Sequence, residues 1–261
     1  MSHAQPPPEP LPMLAPCRQV TSGAPLRWLA KGWGDLRAAP RQSLAFGLIM
    51  VALSYLISGA AWIWGNLGLY LGLVSGFVFV GPWLAMTLYA ISQQLEHGEQ
   101  PTLGRSVAEA AQSVRRSLVF AVILIVVLLI WARAANTLYI FFPQTSNPDW
   151  RDLAWFLGIG SAVGALFCLV IFTASAFSLP MLMDRKVDAV TAVITSANAV
   201  LRNKPAMAVW AAIIVSGVII GIATAWLAFA VVLPIIGHAT WHGYRETIDA
   251  GQWPRVQAAA A

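Results

Sequence analysis

The chain has 261 residues, 58% of them hydrophobic and 10% charged, with a mean hydropathy of +0.69. A soluble domain averages about 25% charged residues, so this composition excludes a water-soluble globular protein, a disordered chain and a coiled coil. Two isolated cysteines, Cys17 and Cys168, exclude a disulfide scaffold and a cysteine zinc site. The net charge of +5 is read as a basic rim facing lipid headgroups, without nucleic acid.

Met1–Ser22 carries Pro6, Pro7, Pro8, Pro10 and Pro12 and no apolar core, so residues 1–25 are read as a disordered, proline-rich cytoplasmic tail rather than a signal peptide. Residues 26–249 form one membrane domain, and 250–261 form a second cytoplasmic tail. No Asp, Glu, Lys or Arg occurs from Gln42 to Leu95, from Leu153 to Met183 or from Pro205 to Tyr244. A hydrocarbon core of about 30 Å takes roughly 20 helical residues. The first gap therefore holds two spans, Leu44–Trp64 and Leu67–Ser92, turning at Gly65-Asn66. Ser117–Phe142 is the third span, followed by a turn-rich loop from Phe142 to Asp149, and Leu153–Met183 is the fourth. Pro205–Tyr244 as one helix would run about 60 Å, twice the bilayer, so two spans meeting near Gly221 are preferred. Six spans are expected, with five as the competing count.

Of the 16 Lys and Arg residues, all but Arg133 and Arg151 then fall on the side of the N-terminus. The positive-inside rule makes that side cytoplasmic and places both termini there, in an inner membrane.

A pattern recurs three times. Each pair of spans follows a segment with helical apolar spacing: Leu26, Leu29, Trp33, Leu36; Leu103, Val107, Ala110, Val114; and Val187, Val190, Ile194, Ala197, Leu201. Such helices are expected to lie flat at the membrane interface. The second span of each pair holds a proline, Pro82, Pro180 or Pro234, and each is expected to kink its helix. The fold class is therefore all-α: a polytopic membrane bundle of three hairpins, each preceded by an interfacial amphipathic helix.

Four and eight residues beyond these prolines stand Met86 and Ala90, then Asp184 and Asp188, then His238 and His242. The i,i+4 spacing sets each pair on one helix face. Two carboxylates and two imidazoles at the cytoplasmic boundary are a candidate divalent-metal site. The competing reading is structural: Asp184 caps or pairs with Arg185 or Arg245, and the histidines hydrogen-bond beside Trp241 and Tyr244. No zincin motif, Walker loop, nucleophile elbow or dinucleotide fingerprint occurs. Gly72/Gly76 and Gly160/Gly164 are expected to pack helices within the chain.

Three strings carry a family likeness: Gly81-Pro82-Trp83-Leu84-Ala85 with Leu88-Tyr89-Ala90-Ile91-Ser92; Ser178-Leu179-Pro180-Met181-Leu182-Met183-Asp184-Arg185; and Pro234 through Arg245, with His238-Ala239-Thr240-Trp241-His242 at its centre. Together they resemble the bacterial DUF2189 family of predicted integral membrane proteins of unknown function, over roughly Trp33 to Asp249. The resemblance implies a membrane location and no particular reaction. A haem oxidase would need paired mid-membrane histidines, which this chain lacks.

The expected function is that of a non-enzymatic accessory or scaffold, with the lipid bilayer, a membrane-protein partner or a second copy as its partners. A small-molecule or metal transporter is the alternative, as is a metal-dependent membrane enzyme using the Asp/His cluster. Scarce polar residues within the spans weigh against ion-coupled transport. The six-span topology predicts that a reporter active only in the cytoplasm scores inside at both termini. An outside C-terminus would overturn the span count and the triplication.

Overall fold

The computed structural model describes residues 12–64, 84–140 and 149–256. Among these, all regular structure is helical: α1 (Ala24–Ala38), α2 (Pro40–Trp64), α3 (residues 84–96), α4 (Leu103–Tyr139), α5 (Trp150–Ser175), α6 (Ser178–Asp184), α7 (Ala189–Arg202), α8 (Lys204–Ala223) and α9 (Phe229–Thr247). Starts follow local chemistry. Pro25 and Pro40 open α1 and α2, where a missing N–H costs nothing. Thr102 caps α4 by accepting from the Arg105 amide, and Asp188 caps α7 by accepting from the Thr191 amide.

Four stretches are long and apolar enough to cross a membrane: Pro40–Ala60, Ser117–Leu138, Trp150–Asp184 and Lys204–Ala223. These match the expected first, third, fourth and fifth spans. The second lies largely outside the described residues, as do Pro82, Gly72 and Gly76. The sixth coincides with α9, which is not among the four because its C-terminal half is polar. The turn before α9 falls at Thr224, three residues past Gly221. There Ala225 and Trp226 adopt φ of 49° and 71°, and their amides return to Ile222 and Gly221 carbonyls, closing α8 with a left-handed cap.

The expected interfacial segments differ in kind. The second is no separate helix: residues 103–114 and the third span are one continuous 37-residue α4, about 55 Å long at 1.5 Å per residue. No proline or glycine interrupts it between Arg105 and Tyr139. The first, α1, buries Ala24, Trp28, Gly32 and Leu36 against the bundle and leaves Leu26 and Trp33 exposed, because Gly32 permits closer packing than the leucine stripe does. The third, α7, is buried along Thr191, Thr195, Ala199 and Val200.

Of the two described span prolines, Pro180 and Pro234, Pro234 alone lies inside a continuous helix. Pro180 instead sits in the first turn of α6, after a break at Ala176-Phe177. The break has a side-chain cause: Ser196 of α7 inserts its hydroxyl between α5 and α6, donating to the Thr173 carbonyl and accepting from the Phe177 amide.

The tails also differ from expectation. Residues 15–25 and 250–256 are held by the bundle rather than free. Cys17 pairs with Ile248 in an antiparallel bridge, Arg18 donates its amide to the Thr247 carbonyl, and Asp249 donates to Pro16. Asn203 accepts from the Val20 amide and donates to the Arg18 carbonyl, and Trp253 is buried. Proline content sets the local conformation, but satisfied backbone groups and buried side chains hold the segment. Both terminal segments thus lie on one face of the bundle.

The main core gathers Trp28 of α1, Met86 and Tyr89 of α3, Met181 and Leu182 of α6 and Trp241 and Tyr244 of α9, while the closest backbone approaches are those of α1 and α2 to α9. A Cβ on Gly32 would stand 2.6 Å from the Ile235 carbonyl oxygen, and one on Gly47 would stand 2.0 Å from that of Ala230. Pro234 deprives that Ala230 carbonyl of its helical donor, so α2 comes closest at the point α9 is weakened. By contrast no residue of α5 is buried, and nothing described lies within 4 Å of a Cβ on Gly160 or Gly164, so this pair makes no helix contact among the described residues. Gly47→Ala should lower stability to thermal unfolding in detergent by about 1–3 kcal/mol through overpacking. Gly59→Ala on the same helix, where a methyl meets nothing within 4 Å, should not. Equal effects would refute the close approach.

Candidate functional site

The polar side chains of the bundle gather around the C-terminal half of α9. His238 is fully buried, with Nδ1 2.8 Å from the Ser92 hydroxyl of α3 and Nε2 2.9 Å from the Ser43 hydroxyl of α2. Ser92 donates to Asp35 Oδ2 of α1 at 2.7 Å, and the same oxygen accepts from His242 Nε2 at 2.8 Å. One hydrogen-bonded chain, Ser43–His238–Ser92–Asp35–His242, therefore ties α1, α2 and α3 to α9.

Proton accounting orients this chain. A carboxylate only accepts, so Ser92 commits its one proton to Asp35 and must accept from His238 Nδ1–H. Ser43 has two acceptors in reach, the Ala39 carbonyl at 2.8 Å and His238 Nε2. When Ser43 donates to Ala39, both ring nitrogens must carry protons and the ring is an imidazolium. A neutral ring requires Ser43 to turn its proton toward Nε2.

A second cluster surrounds Asp184 at the end of α6. Its carboxylate is 2% exposed and accepts from Tyr244 Oη and Arg185 Nε, each at 2.8 Å, and from Gln93 Nε2 at 3.3 Å. Arg185 is held in turn by the Trp253 carbonyl at 2.9 Å. Charged clamps flank both clusters. Glu96 accepts from Arg245 at 2.9 Å and from the Trp241 indole at 3.1 Å, and Glu246 accepts from Arg27 at 2.6 Å and from the Trp28 indole at 2.9 Å. Burial pulls the Glu96 carboxyl upward, but the bonds and charge of Arg245, with Trp241 and His242, outweigh it and hold it below its ordinary value. Arg27, Lys31, Glu96, His242, Arg245 and Glu246 line an open cleft here.

The four residues expected to form one metal site are thus engaged separately. Asp184 lies with Tyr244 and the arginines. Asp188 is spent on α7, accepting from the Thr191 amide at 2.9 Å and its hydroxyl at 2.6 Å. Burial raises the Asp188 carboxyl, yet these bonds outweigh it and hold it low. His238 and His242 belong to the Asp35 chain. Among the described residues no three His, Cys, Asp or Glu converge where a metal ion could sit.

The sequence reading missed Asp35, Ser43 and Ser92, although one signal was present. Asp35 is the only acidic residue between Glu9 and Glu96, on a helix otherwise charged by Arg27, Lys31 and Arg37. The serines carry no such mark, since their partners come from other helices.

A model of the DUF2189 family, described as a predicted integral membrane protein, matches residues 69–184. The likeness read from the sequence is borne out over that stretch, which contains the first string and the second as far as Asp184. The third string, with both histidines, lies beyond it. No curated protein and no solved structure matches the chain. The protein is an integral membrane protein with several apolar helices.

In ¹⁵N NMR of histidine-labelled protein, neutral His238 should carry its proton on Nδ1, and Ser92→Ala should remove that preference. A neutral ring protonated on Nε2 would refute the direction of the Ser92–Asp35 bond.

Proposed function

We propose that this protein is a non-enzymatic inner-membrane accessory or scaffold, with its polar layer and both termini at the cytoplasmic face. One observation supports this above others: Asp35, Asp184, His238 and His242 are already used to join elements of the fold. Asp184 has three kinds of donor, His238 two serines and His242 a carboxylate. An enzyme or metal carrier would have to break these bonds to free a ligand or a base, and an unpaired buried charge is costly.

Two further observations favour the reading. The pairing of the terminal segments suits an even number of crossings, and the basic residues around them suit the cytoplasmic side. The bare glycines of α5 suit a membrane-embedded partner or a second copy.

The alternatives, transport or metal-dependent chemistry at Asp184, Asp188, His238 and His242, are separated from this reading by metal analysis. Equilibrium dialysis against zinc, manganese and ferrous ions should give no stoichiometric binding to the purified protein. Asp184→Asn and His238→Ala should both lower the thermal unfolding midpoint. One metal per chain, lost in both variants, would overturn the proposal.

A further inference from the structure

The apolar stripe of α1 is only partly used by the fold. Leu36 is buried, with Trp28 and Gly32, whereas Leu26 is 59% and Trp33 39% exposed. Leu26, Leu29 and Trp33 form one wall of a groove of about 730 Å³, whose other walls include Ala212 and Ile213 of α8 and Ile235 of α9. That volume lies within the range of about 300–1,000 Å³ found for ligand sites.

The groove exists for a physical reason. α1 is pressed onto α9 at Gly32 and meets α8 through Trp28, packed edge-on against Trp210 with ring centroids 5.8 Å apart. Beyond that contact α8 turns Ala212, Ser216 and Gly217 toward the groove between the larger Val209, Ile213 and Ile220, and the small residues leave the space between α1 and α8 unfilled. α8 is itself a membrane-crossing helix with Val218, Ile219, Ile220 and Ile222 exposed. The gap is therefore continuous with the hydrocarbon phase. Charge marks its rim: the Arg37 guanidinium lies 4.9 Å from the centroid of the Trp33 ring that lines the groove. Arg27, one face away on α1, is tied to Glu246, but Arg37 has no carboxylate partner among the described residues.

We propose that the groove between α1, α8 and α9 holds an acyl chain of an anionic phospholipid, whose net negative headgroup is met by Arg37. An apolar slot in a bilayer fills with hydrocarbon. A cation stacked on an interfacial tryptophan at its mouth selects negative headgroups over zwitterionic ones. The lipid then acts as a wedge that fixes the angle between α1 and the α8–α9 hairpin. The inference does not depend on the accessory role, since an enzyme or transporter could carry the same lipid.

The test uses full-length protein reconstituted with phosphatidylglycerol or phosphatidylcholine, transferred to mild detergent and weighed by native mass spectrometry. The parent should retain one phosphatidylglycerol and favour it over phosphatidylcholine. Ala212→Phe, which fills the groove from an exposed position, should abolish retention while leaving the helical circular dichroism unchanged. Arg37→Gln should reduce the preference for phosphatidylglycerol by about five-fold, the effect of one interfacial cation. Equal retention of both lipids by the parent, or unchanged retention by a folded Ala212→Phe, would overturn the proposal. Should Ala212→Phe not assemble, Arg37→Gln decides, and an unaltered preference counts against the site.

Discussion

The bundle depends on the close approach of α1 and α2 to α9. Gly32 and Gly47 bring their helices against the backbone of α9 at Ile235 and Ala230, distances that no side chain would tolerate. In a membrane, association draws little on hydrophobic burial, because lipid tails are as apolar as leucine, and close packing and hydrogen bonds carry it instead. The glycines supply the packing. They also set the reach of the hydrogen bonds, since Asp35 and Ser43 sit one helical turn from these contacts and thereby come within bonding distance of His242 and His238.

Polar groups taken out of water are tolerated only when fully paired. Asp184 and His238 meet that condition through partners drawn from three helices, α2, α3 and α9, with Arg185, so the network cannot form until those elements are in place. This makes the polar layer a device for uniqueness of packing: a shifted α9 would leave a buried carboxylate and an imidazole unpaired. The terminal segments extend the same logic. Their backbone groups are met by Asn203, Thr195 and the chain around Asp184, which turns two tails into straps over the polar face.

The two ends of the molecule are built differently. Around α9 and α7 the interior is dense, with Trp28, Trp210, Trp241 and Tyr244 buried. Along α5 no side chain is buried, and the 18-residue window of Ser117–Leu138 is only 17% buried. Those helices present apolar surface that lipid or a neighbour covers. This division, with paired polar groups at one face and open apolar helices at the other, is what the proposed accessory role rests on.

How much of this was legible in the sequence follows from which interactions are local. Charge-free runs of fixed length mark membrane helices because the bilayer penalises charge by depth, a constraint on single segments; four spans were placed in this way. The family strings were legible for the same reason, and so was the pairing of Asp184 with its neighbour Arg185, as a structural alternative to metal. Whether Leu103–Tyr139 is one helix or two, whether residues 15–25 are free or strapped down, and which face of α1 is buried depend on partners far along the chain. Equal offsets from Pro180 and Pro234 suggested one Asp/His cluster, but α6 ends at Asp184, with Arg185 extended and Asp188 capping the next helix, while α9 runs on through His238 and His242, so the two offsets do not describe equivalent geometry. The sequence by itself determined a basic-rimmed, all-helical membrane protein. Only the tertiary structure decided that Asp35 joins His238 and His242 through Ser92 while Asp184 goes to Tyr244 and Arg185, because a hydrogen bond between helices is set by where glycine lets their backbones meet.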